Sequence, residues 1–203
     1  MAVLENLRTL IYPPKFEDNP VYQKAEAFQE SIEPVEGADY DWVWDYAKDV
    51  YDRLSKVYKD LDDKANDIIK YLGGGAGLFT LGAIANVNKD NAGLMLSALP
   101  ALACALLSIF FAVLARKPNE NRTQPSVFSA FRFAGHYLDG DAEDSKKAKA
   151  IFLGQWHLTC EAMGLAVDLK SRRVTWATWT FLLSIVLLLV PFIVAIGTKM
   201  AGG

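Results

Sequence analysis

The side chains with the clearest capacity for chemistry are four aspartates that lie close together in the chain: Asp60, Asp62, Asp63 and Asp67. Carboxylate oxygens are the ligands that divalent cations such as Ca²⁺ prefer. A calcium loop also needs ligands at fixed alternate positions, a central glycine and a terminal glutamate, and this stretch does not provide them. We therefore interpret the four aspartates as one solvated face of a helix and predict no metal site.

A glycine-rich run at residues 73–77 could be taken for a phosphate-binding loop. That motif requires a Gly-Lys-Ser/Thr ending and a preceding strand, and neither is present in the sequence. The two histidines, His136 and His157, have no second ligand at metal spacing and no neighbouring nucleophile in a recognisable motif. We accordingly predict no catalytic residue, no enzymatic activity and no cofactor.

Charge is distributed very unevenly along the 203 residues. Residues 1–70 hold 9 Lys and Arg against 16 Asp and Glu, whereas residues 71–88, 91–115 and 174–198 hold no charged side chain. Uncharged blocks of this length can span a bilayer core, which takes roughly 20 helical residues. This pattern argues against a soluble enzyme and against disorder, and the net charge of −3 argues against a nucleic-acid binder.

The basic residues that flank the three apolar blocks predict a topology. The flanks on one side of the membrane are Lys59, Lys64, Lys70, Arg116, Lys117, Arg122, Lys170, Arg172 and Arg173, whereas the other side has only Lys89 and Lys199. Lys and Arg accumulate on the cytoplasmic side of membrane proteins. We therefore expect residues 1–70 and 116–173 in the cytoplasm and the C-terminus outside, in a multi-pass membrane protein.

The segment before the first block has the periodicity of a long helix that continues into the membrane. Apolar residues recur every three or four positions in a heptad-like seam at Val43, Ala47, Val50, Leu54, Val57, Leu61 and Ile68. The seam has two interpretations. It packs on helices of its own chain, or it also assembles copies of the protein into an oligomer.

These patterns predict an all-α membrane protein with three transmembrane helices and long cytosolic helices that form a stalk or bundle. The predicted division is an N-terminal cytosolic segment with a short amphipathic helix (1–40), a cytosolic helix that continues into the membrane (41–70), a transmembrane hairpin (71–115), a cytosolic helical region (116–173), and a third transmembrane helix with a short tail (174–203).

One short motif resembles a known family. Leu61, Asp62, Lys64 and Ala65 lie just before a glycine-containing membrane hairpin, and Lys170 shortly precedes the last span. This order resembles the Pycsar transmembrane effectors of bacterial anti-phage signalling and the related SLATT proteins, over roughly residues 45–198. The resemblance implies a protein of the bacterial inner membrane that senses a cyclic nucleotide, cyclic CMP or cyclic UMP, forms a homo-oligomer and disrupts the membrane. It assigns no ligand-binding residue.

Two other functions fit the same residues. A membrane anchor could recruit a cytosolic partner through the aromatic, acidic segment before the first span, or several copies could form a constitutive small channel. The predicted spans contain no ionisable residue, which argues against a coupled transporter. Leakage that depends on a nucleotide would distinguish the effector from both alternatives.

Overall fold

A computed structural model describes residues 2–31, 40–76, 92–117 and 142–201. All regular elements in these ranges are helical, which confirms the predicted all-α class there. The main helices are α1 (Ala2–Ile11), α2 (Pro20–Ser31), α3 (Tyr40–Tyr71), α4 (Ala92–Arg116) and α5 (Ala142–Ala201). A 3₁₀ turn, Phe16–Asp18, precedes α2, and a π-helical segment, Leu72–Ala76, follows α3.

The Asn-Pro pair at residues 19–20 is typical of a helix start, and helix α2 begins there. Pro20 is its first residue, a position at which the missing N–H of proline would have no helical partner in any case. The side-chain oxygen of Asn19 accepts a hydrogen bond from the Val21 N–H at 2.9 Å and so caps the first turn.

Helix α3 is the predicted long helix, and its regular geometry ends at the first glycine-rich turn. The backbone widens to a π-helix at Leu72–Ala76, directly beyond Tyr71. A Cβ atom placed on Gly73, Gly74 or Gly75 would meet no atom of the described residues within 4 Å. Packing therefore does not require glycine at these positions, and their main local effect is to weaken the helix.

Replacement of Gly74 by alanine is expected to stabilise the protein by about 0.5–1 kcal/mol, because alanine loses less backbone entropy in a helix. Helicity by circular dichroism and the melting temperature in detergent would both rise slightly. A lower melting temperature for Gly74→Ala would contradict the open surroundings of this position.

Two helices of the described residues are long and apolar enough to cross a membrane, where the sequence predicts three spans. The apolar stretches are Ala98–Arg116 in α4 and Leu153–Leu189 in α5, the second of which overlaps the predicted span at 174–198. Most of the predicted first span, from residue 77 to 88, lies outside the described residues. Residues 118–141 of the predicted cytosolic region lie outside them as well, and the predicted domain division stays a prediction.

The chain divides into two compact units. Unit 1 comprises Met1–Lys59 with Pro118–Leu169, and unit 2 comprises Asp60–Lys117 with Lys170–Gly203. Helices α3 and α5 each contribute residues to both units.

In unit 2, the buried residues of α4 are mostly small, whereas many large apolar side chains of α4 and α5 are exposed. The buried residues of α4 repeat at spacings of four and three and are nearly all small: Ala101, Ala105, Ser108, Phe111, Ala112 and Ala115. Large exposed residues cover the outer faces of α4 and α5, among them Leu99, Leu106, Phe110, Val113, Leu182 and Val186. Water disfavours such a surface, whereas small residues at helix contacts and large apolar residues outside are typical of helices in lipid.

Candidate functional site

A buried ion pair joins α3 and α5 within unit 2. The Lys170 ammonium lies 2.5 Å from a carboxylate oxygen of Asp62, and the Lys170 side chain is 4% exposed while that of Asp62 is 38% exposed. Burial of a charged ammonium costs several kcal/mol unless an opposite charge compensates it. Asp62 supplies that compensation from the edge of the unit.

Two further polar contacts connect α4 to the same region. The Arg173 guanidinium, one turn beyond Lys170, donates to the Leu114 carbonyl oxygen at 2.9 Å and thereby satisfies a carbonyl in the last turn of α4. Arg116 donates to the Asn66 side-chain oxygen at 3.3 Å. We call these contacts the polar clasp, formed by Asp62, Asn66, Leu114, Arg116, Lys170 and Arg173.

The apolar segments of α4 and α5 are held together by one buried hydrogen bond and by aromatic packing. The Ser108 hydroxyl donates to the Ala177 carbonyl oxygen at 2.6 Å, and Ser108 is fully buried. The rings of Phe111 and Trp176 pack with their centroids 6.0 Å apart. Interhelical contacts of this kind, between small and hydroxyl-bearing residues, are those that associate helices in a bilayer.

The motif residues occupy three different environments. Leu61 and Ala65 are buried, whereas Lys64 is exposed and takes no part in the polar clasp. Asp62 and Lys170, which are far apart in sequence, form the ion pair. Sequence reasoning named Asp62 and Lys170 but did not name Asn66, Arg116 and Arg173 as partners. The three-residue spacing of Lys170 and Arg173, which places both on one helix face, was the signal available for Arg173.

The predicted seam of α3 divides into an exposed and a buried part. Val43 is 39% and Val57 is 45% exposed, whereas Leu61 and Ile68 are buried. Ala47, Val50 and Leu54 are half-buried. We call Leu61 and Ile68 the lower seam, which packs within its own chain. We call the part from Val43 to Val57 the upper seam, and assembly of copies through it stays a prediction.

Aromatic residues form the most distinctive contacts of unit 1. Trp156 of α5 presents its ring at a steep angle to Trp44 and Tyr51 of α3, with centroids 5.7 and 5.3 Å apart. Trp44 and Tyr51 lie two turns apart on α3 and so share a face. We call these three residues the aromatic cluster. Edge-to-face pairs of this kind add about 0.5–1.5 kcal/mol each beyond their buried area.

Polar atoms adjoin the aromatic cluster. The side-chain oxygen of Gln155 is buried and accepts no hydrogen bond from the residues that the structure describes. The Cys160 thiol lies 3.6 Å from the Ala47 carbonyl oxygen, and His157 packs edge-on against Phe28 at 5.4 Å. Aromatic rings and a hydrogen-bond acceptor are groups with which a flat base that carries a donor can interact.

In the four described ranges, no group of three His, Cys, Asp or Glu side chains is placed to hold a metal ion. Asp62 pairs with Lys170, and Asp67 pairs with Lys70 at 3.9 Å. Two of the four clustered aspartates therefore already have cationic partners. The pair of Asp62 joins α3 to α5, whereas the pair of Asp67 lies within α3.

A comparison with protein-family models identifies a match over most of these residues. The model described as PycTM, the Pycsar effector protein domain, matches residues 46–197. No curated protein and no solved structure matches the chain. The matched range contains the polar clasp together with Tyr51 and Trp156 of the aromatic cluster, whereas Trp44 lies two residues before it. The match confirms the resemblance inferred from the motif at Leu61–Ala65. Because the match covers well over half of the sequence, this chain belongs to the Pycsar effector transmembrane domain family.

Proposed function

We propose that this protein is a membrane effector of bacterial anti-phage signalling that responds to a cyclic nucleotide by permeabilising the inner membrane. The family match over residues 46–197 supports the effector role. The observation that carries the membrane role is the surface of unit 2. Large apolar side chains are exposed there on α4 and α5, and the buried residues between these helices are mostly alanines and serines.

The proposed topology has three spans, with the stretch at 71–88 as the first, the N-terminus in the cytoplasm and the C-terminus outside. Charge supports it: Arg116 and Lys117 end one apolar segment, and Lys170, Arg172 and Arg173 precede another. In this topology, unit 1 is cytosolic and the polar clasp lies where the apolar helices meet the cytoplasmic face.

The proposed ligand is a cyclic pyrimidine nucleotide, cyclic CMP or cyclic UMP, which the family resemblance implies. The aromatic cluster with Gln155 is the part of unit 1 whose chemistry best suits a base. The exocyclic amine of cytosine or the N3–H of uracil could donate to the buried Gln155 oxygen. Both pyrimidine nucleotides therefore stay candidates.

The proposed assembly is a homo-oligomer that forms through the upper seam of α3. Val43 and Val57 are exposed there, and the Trp42 and Tyr46 rings stack on each other at 5.8 Å on the surface of the same helix. Burial of these apolar side chains against a second copy would remove them from water. A ligand that changes how copies associate would thereby act on the helices that enter the membrane.

The test is dye and ion leakage from liposomes that hold the purified full chain, with cyclic CMP, cyclic UMP, cyclic AMP and cyclic GMP added separately. We expect leakage only with a pyrimidine nucleotide. Leakage without any nucleotide would indicate a constitutive channel. A tight membrane under all conditions, with the inserted protein verified as folded, would indicate an anchoring module and would contradict the effector function.

A pair of variants at one exposed position tests the assembly. Val57→Asp places a charge in the upper seam and should abolish nucleotide-dependent leakage, whereas Val57→Thr, which has nearly the same shape, should retain most of it. Because Val57 is 45% exposed, neither change should unfold the chain, and circular dichroism verifies this. Full leakage with Val57→Asp would exclude the upper seam as an interface.

A further inference from the structure

The turns of α4 and α5 that border the apolar surface of unit 2 are rich in cations. Residues 114–117 and 170–174 together contain five Lys and Arg side chains and no Asp or Glu. Two of the five, Lys170 and Arg173, are buried in the polar clasp. The other three, Arg116, Lys117 and Arg172, are exposed.

The polar clasp holds the turns that carry the exposed cations next to each other in unit 2. The hydrogen bond from Arg173 to the Leu114 carbonyl places the turn of α5 that holds Arg172 beside the last turn of α4, which ends at Arg116. Lys117 follows directly, and its N–H donates to the Val113 carbonyl oxygen at 3.1 Å. We call Arg116, Lys117 and Arg172 the cationic collar.

The cationic collar borders directly on exposed apolar side chains. Phe110 and Val113 are 44% and 52% exposed within two turns of Arg116, and Trp179 is 66% exposed two turns beyond Arg172. Charge followed by apolar surface is the order in which a phospholipid presents its headgroup and its acyl chains. Exposed Trp near a cation suits the interface between the two.

We propose that the cationic collar binds the headgroups of anionic phospholipids, so that unit 2 selects these lipids from a mixed bilayer with or without a nucleotide. Charge complementarity identifies the partner: basic residues next to a membrane segment attract anionic headgroups. Asp62 and Asp67 of α3 pair with Lys170 and Lys70, which lie outside the collar.

The test uses the full chain reconstituted into phosphatidylcholine bilayers that contain phosphatidylglycerol with brominated acyl chains. Bromine on the acyl chains quenches tryptophans close to them, so Trp176 and Trp179 report which lipid lies beside α5. Comparison with brominated phosphatidylcholine gives a relative binding constant. We expect phosphatidylglycerol to bind at least about tenfold more tightly, since each cation near the surface contributes about 1 kcal/mol, or about fivefold.

The variant R116Q/K117Q/R172Q should bring the ratio of the two lipid-binding constants, phosphatidylglycerol over phosphatidylcholine, close to one. The control K48Q/R53Q/K56Q removes three exposed cations of α3 in unit 1 and should leave this ratio unchanged. In the unmodified protein, 1 M salt should lower the ratio as well, because it screens exposed charges. That second measurement does not depend on the folding of any variant.

A ratio near one in the unmodified protein, or a ratio that survives in the collar variant, would overturn the proposal. Neither outcome bears on the effector function, because no nucleotide is present. Conversely, absence of leakage in the liposome assay would leave the lipid preference intact.

Discussion

Replacement of Asp62 by asparagine is expected to destabilise the protein by about 3 kcal/mol, more than any other change to the polar clasp. The Lys170 side chain is 4% exposed, so water cannot readily take over the stabilisation of its charge once the Asp62 carboxylate is removed. The measurement is the apparent melting temperature of the purified chain in detergent, followed by circular dichroism.

Replacement of the other partner, Lys170, should lower the stability by less. Lys170→Met keeps an apolar stem of similar length and leaves behind a carboxylate that is 38% exposed and that water can hydrate, so we expect a loss of about 1 kcal/mol. The double variant D62N/K170M should then be more stable than D62N alone, because the two changes remove one shared interaction.

Asp63→Asn, at an exposed neighbouring carboxylate, is the matched control and should change stability by less than about 0.5 kcal/mol. Equal and additive effects of the two single changes would show that the pair contributes nothing specific.

Replacement of Trp156 by alanine is expected to cost about 3 kcal/mol, the largest effect in unit 1. The change removes the ring that contacts both Trp44 and Tyr51 and leaves a cavity between α3 and α5. Trp156 is half-buried, so the expected cost lies at the lower end of the range for a truncated tryptophan. Thermal unfolding in detergent measures it, and Trp156→Phe should recover about half of the loss because it retains an aromatic ring.

A second tryptophan of the same unit provides the control for this prediction. Trp42 is 66% exposed and stacks on Tyr46 of its own helix, so Trp42→Ala should cost less than about 1 kcal/mol. If both tryptophan variants unfold at the same temperature, the aromatic cluster does not hold the described helices of unit 1 together.

The polar clasp bears on how a signal could reach the membrane in the proposed function. Lys170 and Arg173, one turn apart on α5, contact α3 and α4 respectively. A shift of α5 by a fraction of a turn would break both contacts together, because packed helix interfaces change between discrete arrangements. Variants of the clasp should therefore be assayed for leakage without nucleotide as well as for stability.

The helices of this protein could be predicted in large part because their determinants are local. Pro20 after a capping Asn19, and the three-and-four spacing of apolar residues from Val43, depend only on neighbours along the chain. The helical pattern of the sequence that begins at Glu143 starts one residue from the observed beginning of α5 at Ala142. The predicted first span could not be compared in the same way, because most of residues 71–88 lies outside the described ranges.

The candidate site was predicted only in part, because its contacts join residues from different helices. The family-like motif of the sequence named Asp62 and Lys170 but did not pair them with each other, whereas the structure joins them in one buried ion pair. The sequence also provided no reason to distinguish Arg172 from Arg173 among the flanking cations. In the structure, Arg173 is buried against Leu114 and Arg172 is exposed.

The helical class, the position of the apolar segments and the cationic flanks could be predicted from the sequence, since each follows from composition and periodicity over one or a few turns. Which helix faces meet depends on the packing of distant parts of the chain. One residue of helix turns a side chain by about 100°, so adjacent cations such as Arg172 and Arg173 point in different directions. Which of those directions is the interior depends on where α3 and α4 pack, and that information lies far away along the chain.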